Sequence, residues 1–562
     1  MLKKLIVVSS ALIFSVNSYG FLDSLNKAVK NIEESVSGAA QSNDSGNNSE
    51  HKKKQPKTSS SNTKKPDLGL KSGVFRKGYS EDVSDITDQL YQGRFSDVEA
   101  LYASDLNFKR SASNNDASFS DENDSMGSSS SPSGPRISFK NHHALLHYTQ
   151  HASLLVDTGK PAKDALVKAR KIIEKTNNQG AITGGGFFSN IRKLGGAVTG
   201  KKDLAPYEML GYEKVLMLNY QAIDYLLDGK DEAFNVSKLA ISWQAEEREK
   251  FKIELAKRIK EAEESAASEE SGGASFSKEK AKIVDALKKD YAKYHKYAEA
   301  AESAFVNPMG SYLSAVVMEF DAHQDNSSFD DAKREYIKAA ELNGKSKVIK
   351  SAVNDFTKWD KKNGQVDKTK RLLHVIVSDG FMPEKKVSTR KLATPLGILN
   401  FQLPVMEPVG SRVNKIALVS SSGKTLSRFS VVADTEAMAM RHQKDSEDQQ
   451  TVSAAITVIR SAIVQNTADQ LAGGLGQFAG AALEDKVVSP DTRSWTNLPA
   501  KMYAARYMPP KNTKFVYVVS YDENGRQLAK KKLQLNNKHN FAYVRSANKV
   551  MNVRTSKLLW VN

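Results

Sequence analysis

Three imidazoles at a spacing of four are the first residues of this chain that could do chemistry. His143, His147 and His151 stand at i, i+4 and i+8, with His142 beside them. On a helix that spacing lines them along one face, and two such side chains can hold zinc or copper. No carboxylate lies within the same two turns to complete a ligand set. A row packed beside Tyr148, or solvated, is the favoured reading, and no metal or other cofactor is expected.

A second constellation is Asp491-Thr492-Arg493-Ser494-Trp495, which joins an acid, a guanidinium and a large aromatic. An Asp–Arg pair can bind a carboxylate or clamp a chain end through charge-assisted hydrogen bonds. In the structural alternative, which is favoured, Asp491 caps a turn, Arg493 bonds to backbone carbonyls and Trp495 plugs a gap between helices and sheet. The glycines of 474–480 follow a helical run, whereas a dinucleotide loop needs a strand before it. Gly184-Gly185-Gly186-Phe187-Phe188 reads as a connector between repeats. No Ser-His-Asp set, catalytic carboxylate pair or phosphate loop can be placed, so no catalytic residue is assigned and a non-enzymatic chain is expected.

The elements that would position these residues fall into two halves. Four helix-turn-helix units are expected at residues 83–103, 142–175, 207–243 and 312–342. They turn at Gly93, at Gly159 before Pro161, at Gly229 and through Asp325-Asn326-Ser327-Ser328. Such units resemble degenerate tetratricopeptide repeats, whose inner surface binds proteins or peptides. Two long charged helices within about 231–305 read as a coiled-coil-like antiparallel hairpin projecting from the array. From about residue 370 the pattern changes to strands, at 372–377, 398–403, 415–419, 514–521, 527–535 and 540–545, with Asn524-Gly525 as a hairpin turn. Helical runs at 434–444 and 452–483 are inserted among them. The fold class is therefore α+β and multidomain, with helical repeats over 137–360 and a mixed domain over 368–562.

The remaining residues bear on compartment. Lys3 and Lys4, an apolar run from Leu5 to Val16 and small residues ending at Gly20 make the pattern of a cleavable signal peptide over 1–20. No later run is apolar enough to span a bilayer. The chain of 562 residues has no cysteine, which excludes disulfides, thiolate zinc and a cysteine-linked lipid anchor. Its net charge is +17, and residues 51–77 hold nine Lys or Arg against Asp67 alone. Residues 21–78 read as a short amphipathic segment followed by a disordered basic tether, with Lys52, Lys53, Lys54, Lys57, Lys64 and Lys65 at its centre. A solvated spacer is the favoured reading of this stretch; as a binding element outside a cytoplasm it would take anionic lipid, lipopolysaccharide or acidic wall polymer rather than nucleic acid. Residues 79–110 form a first helical hairpin, and the serine-rich stretch 111–136 is a disordered linker.

Three segments in order carry a resemblance. They are Pro206-Tyr207-Glu208 followed by Tyr212-Glu213-Lys214-Val215-Leu216; Asn307-Pro308-Met309-Gly310-Ser311-Tyr312-Leu313; and Asp491-Thr492-Arg493-Ser494-Trp495-Thr496-Asn497-Leu498-Pro499-Ala500. Over about 140–530 the chain resembles a bacterial envelope family of tetratricopeptide-containing proteins, often lipoproteins. Members of that family tend to be encoded near lipoprotein activators of penicillin-binding proteins. The resemblance implies a periplasmic or secreted location, peripheral to a membrane, and a wall-related role. It supplies no activity, and this chain lacks the lipidated cysteine of many relatives. The expected function is a non-catalytic scaffold that binds an envelope protein, with Tyr207 and Tyr312 as exposed anchors in its groove. The alternatives are an anchor to anionic polymer through the tether, and a glycan hydrolase with its site in the C-terminal half.

Overall fold

Leu373–Asp379 carries Leu373, Val375 and Val377 on one face and His374, Ile376 and Ser378 on the other, and all seven residues are buried. A strand of this kind needs a layer on each side. The structure, a computed structural model, describes residues 79, 81–112, 144–182, 207, 209–268, 274–471 and 490–559. Both layers are present in it.

This strand, β1, is the centre of a five-stranded mixed sheet. It runs parallel to β10 (Asn540–Ala547) and antiparallel to β7 (Lys501–Tyr507). β11 (Val550–Thr555) and β6 (Ser430–Asp434) form the edges. A second, antiparallel sheet orders β5 (Thr425–Arg428), β4 (Lys415–Val419), β8 (Phe515–Tyr521) and β9 (Gln527–Gln534). Leu373, Val375 and Val377 meet Ile416, Leu418, Val516, Val518 and Leu533 of that sheet. Each such side chain removed from water stabilises by about 1.5–3 kcal/mol.

Helices cover the opposite face. In chain order they are α1 (Glu81–Tyr91), α2 (Phe95–Ala112), α3 (Ala144–Thr158), α4 (Lys163–Ile182), α5 (Gly211–Leu227) and α6 (Glu232–Ser268). Then follow α7 (Ala274–Ala292), α8 (His295–Ala298), α9 (Pro308–Gln324), α10 (Phe329–Leu342), α11 (Lys347–Lys362) and α12 (Thr435–Leu471). Leu146, Tyr220, Tyr312 and Phe356 from these helices share one core with Ile376, Met502, Phe541 and Tyr543 of the sheet. The composition change near residue 370 therefore marks no break in this core among the described residues.

Gly229 shows why α5 ends where it does. Its φ is 73°, and a Cβ there would lie 2.3 Å from the carbonyl oxygen of Leu558. The amide of Lys230 donates to Tyr225 O at 2.9 Å and that of Gly229 to Leu226 O at 3.1 Å. This is the two-bond closure that needs a left-handed residue after a helix. Gly93 and Gly159 close α1 and α3 in the same way.

Two expectations are corrected here. The stripe Ile283, Leu287 and Tyr291 on α7 does not serve a projecting two-helix hairpin. It packs on the hairpin β2 (Lys385–Thr394) and β3 (Gly397–Met406), through Leu399, Phe401 and Leu403, and on Ala455 and Ile459 of α12. The helical runs at 434–444 and 452–483 are joined, since α12 continues through 445–451. Its polar middle is satisfied from outside: Tyr291 donates to Gln450 Oε1 at 2.7 Å, and His295 Nε2 meets Glu447 Oε2 at 2.5 Å. No helix among the described residues is long and apolar enough to cross a membrane. Residues 1–78, His142, His143, the linker from 113 onward, Gly184–Phe188 and the 474–480 glycine run lie outside the described residues.

Candidate functional site

The segment Asp491–Trp495 and the entrance to α5 meet at one carboxylate. Glu213 lies in the first turn of α5 and reaches back to accept the amide of Leu210 at 2.9 Å. It also accepts the Tyr207 hydroxyl at 2.7 Å and the backbone amide of Trp495 at 3.4 Å. The second resemblance segment closes a helix start of its own. Asn307 caps α9, its Oδ1 accepting the Met309 amide at 2.9 Å, with Pro308 in the first turn.

Arg493 directs its guanidinium at Asp491, with Nε to Oδ1 at 2.9 Å and Nη2 to Oδ2 at 2.8 Å, and lies 5.6 Å from the ring centre of Tyr207. Burial alone would raise the Asp491 carboxyl. The hydrogen bond from Arg493 and the charge of Lys385 outweigh it and hold the group below the usual carboxylate range. Trp495 is buried and stacks on Tyr220 at 6.4 Å. A cavity of about 220 Å³ adjoins this segment, lined by Lys385, Pro404, His442, Gln450 and Asp491 among others.

Tyr207 and Tyr312 are not exposed anchors, which corrects the expectation. Both are buried, at 2% and 0% exposure. Tyr207 is drawn inward by Glu213. Tyr312 stands on the sheet-facing side of α9, against Tyr336 at 5.9 Å and with its hydroxyl 3.3 Å from His374 Nδ1.

That last contact leads to a network which no spacing in the sequence announces. Glu319 of α9 and His374 of β1 are fully buried, and Arg506 of β7 nearly so. His374 Nε2 meets Glu319 Oε2 at 2.9 Å, and Tyr336 donates to the same oxygen at 2.6 Å. Arg506 grips Glu319 through Nε at 3.0 Å and Nη2 at 2.6 Å, and reaches Asp355 with Nη1 at 2.6 Å. Burial would raise Glu319, but Arg506 and His374 outweigh it and hold the carboxyl well below its ordinary range. Burial lowers the His374 pKa below its ordinary value, with the hydrogen bond and charge of Glu319 opposing. A Tyr–His–Glu chain has the parts of an acid–base relay. Here the carboxylate is already saturated, and neither cavity described in the structure touches it.

A second network joins α3 to β10. Arg545 Nε donates to Asp157 at 3.1 Å, and its Nη atoms reach Ser378 O, Gly380 O and Asn497 O. Tyr543 donates to the same carboxylate at 2.7 Å. Burial pushes Asp157 up to about 6, with Arg545 and Tyr543 pulling the other way. At the same end of the sheet Glu436 accepts the amides of Val409 and Gly410, and burial with the nearby charge of Asp434 pushes it up to about 7.

Of the histidine row, His147 is buried with its ring edge-on to Tyr102 at 6.0 Å. His151 Nε2 meets Glu99 Oε1 at 2.8 Å. Among the described residues no group of three His, Asp or Glu side chains is arranged to hold a metal ion.

His323 makes stability depend on pH. It lies against His539 at 4.5 Å and edge-on to Trp359 at 6.4 Å, and burial lowers it to about 4, the charge of Glu319 opposing. Its folded pKa is thus below the unfolded value of 6.5. The neutral ring contributes stability that is present above pH 6.5 and is lost as pH falls toward 4. Titration by NMR is expected to find His323 uncharged at pH 5, and His323→Phe is expected to flatten the acid limb of stability between pH 6.5 and 4. A ring that titrates near 6.5 would refute this.

Together the elements define a mixed α+β protein with fully buried ion pairs, His374–Glu319 and Arg545–Asp157, at joints between helices and sheet. No family model, curated protein or solved structure matches the chain.

Proposed function

We propose that this chain is an exported, non-catalytic binding protein of a bacterial cell envelope, with its helices arranged as tetratricopeptide-like pairs. One observation carries the non-catalytic part. The constellation with the geometry of an acid–base relay, Tyr312–His374–Glu319, is enclosed and already hydrogen-bonded to Arg506 and Tyr336. A general acid or base must reach the proton it transfers, directly or through one water. The left-handed turns at Gly93, Gly159, Gly229 and Asn326 support the paired-helix reading. The leader-like start, the basic tether and the resemblance to the envelope tetratricopeptide family support the location.

Fractionation and photo-crosslinking in intact envelopes test this reading. The expected result is a chain cut near Phe21, recovered outside the cytoplasm and joined to a discrete partner, with purified wall polymer left uncut. Recovery from the cytoplasm with Met1 intact defeats the location. Release of reducing sugar from wall polymer defeats the non-catalytic assignment.

A further inference from the structure

The outer face of the second sheet carries charge in an order that the fold imposes. Its four strands contain Lys415, Arg428 and Lys530 to Lys532, and no aspartate or glutamate. Alternation sends Ile416, Leu418, Val516, Val518 and Leu533 inward. Lys415, Phe515, Tyr517, Tyr521, Lys530 and Lys532 therefore share the outer face. Each of these lysines stands over a ring. Lys530 Nζ is 4.4 Å from the centre of Tyr517, Lys532 Nζ 4.1 Å from that of Phe515, and Lys415 Nζ 5.3 Å from that of Tyr521. Register produces the diagonal pairs: Tyr517 lies opposite Lys532 and Val519 opposite Lys530, so each β9 lysine leans two positions along β8. All three lysines are exposed, and none has a carboxylate partner among the described residues.

We propose that this face binds an anionic polysaccharide, the lysines taking its carboxylate or phosphate groups. The rings hold the ammonium groups in place before binding. Part of the rotamer entropy of each lysine, about 2 kcal/mol when free, is thus already lost in the unbound protein. Lys530 and Lys532 lie two residues apart on one strand, about 7 Å, which suits successive anionic groups along a polymer. The charged strip continues over the edge of β9 into a depression of about 410 Å³ lined by Lys531 and Lys532. Single-stranded nucleic acid gains its affinity by stacking bases on open aromatic faces, and here the ammonium groups occupy those faces. A surface that enters a bilayer presents protruding apolar groups, whereas the side chains that protrude here are lysines. The choice of a glycan among polyanions rests on the envelope location proposed above.

Fluorescence anisotropy of the full chain with labelled oligogalacturonate tests the proposal, with a neutral maltooligosaccharide and oligo-dT as controls. Oligogalacturonate is expected to bind in a salt-sensitive way. The combined variant Lys415→Gln, Lys530→Gln, Lys532→Gln is expected to weaken it at least tenfold with an unchanged melting temperature. Replacing the same lysines with arginine is expected to preserve it, and deletion of residues 51–77 to leave it intact. The proposal is overturned by glutamine-variant affinity equal to the parent, by loss of binding on tether deletion, by equal affinity for the neutral oligomer, or by tighter binding of oligo-dT. If binding follows the lysines while fractionation places the chain in the cytoplasm, the envelope reading fails and the polyanion-binding face stands.

Discussion

Replacing Arg506 with methionine is expected to lower stability by about 3–5 kcal/mol, because it leaves a buried carboxylate without its cation. Glu319 would keep only Tyr336 and His374 as partners, at 2.6 and 2.9 Å. The loss should be coupled: adding Glu319→Gln to Arg506→Met is expected to recover about 1 kcal/mol or more, since the orphaned charge goes with it. Proton linkage gives an independent readout. In the parent the Glu319 carboxyl titrates below its ordinary value of 4.5, so the stability it contributes is fully present above that pH and is lost as pH falls toward the folded value. Without Arg506, burial dominates and the carboxyl rises. The folded variant then takes up a proton on acidification, and the gap between variant and parent should narrow from pH 7 to pH 5. Thermal melts at the two pH values decide. A loss under about 1 kcal/mol at pH 7, or a gap that widens on acidification, would show that the pair is not the joint it is taken to be.

The same network shows why half of the site could not be read in advance. Leu373-His374-Val375-Ile376-Val377 is a nearly continuous apolar run because two layers cover β1, so the strand itself is legible. β8 and β9 are legible from alternation and from Asn524-Gly525, where Gly525 has φ 75° and the Asp522 amide donates to Arg526 O at 2.9 Å. β7 is not. Its Lys501 and Arg506 look like solvent-facing charges until Asp434 and Glu319 arrive, at 3.0 and 2.6 Å, from elements far away in the chain. Glu319 lies 55 positions from His374 and 187 from Arg506, and no local pattern reports such a meeting. Asp491 and Arg493, two residues apart, were visible as a pair, and they form one. The burial of Tyr207 and Tyr312 was not visible, because a position near a helix start does not say what the tertiary fold lays over it.

Replacing Trp495 with alanine is expected to cost about 3–5 kcal/mol, the range for removing a large buried aromatic and leaving a void. The ring is 1% exposed and belongs to the core shared by α5, α9 and the central sheet. Its backbone amide is tied to Glu213, the carboxylate that also closes the first turn of α5. Trp495→Phe should be far milder, within about 1.5 kcal/mol, because it keeps an aromatic ring near Tyr220. It also removes a buried indole N–H that has no acceptor among the described residues. Melting temperatures of the two variants give the order. Trp495 lies on the helix-covered side of the central sheet, and the lysine face lies on the far side of the second sheet. The folded fraction of Trp495→Ala should therefore bind oligogalacturonate as the parent does. An unchanged melting temperature together with lost binding would instead place Asp491–Trp495 in a recognition site.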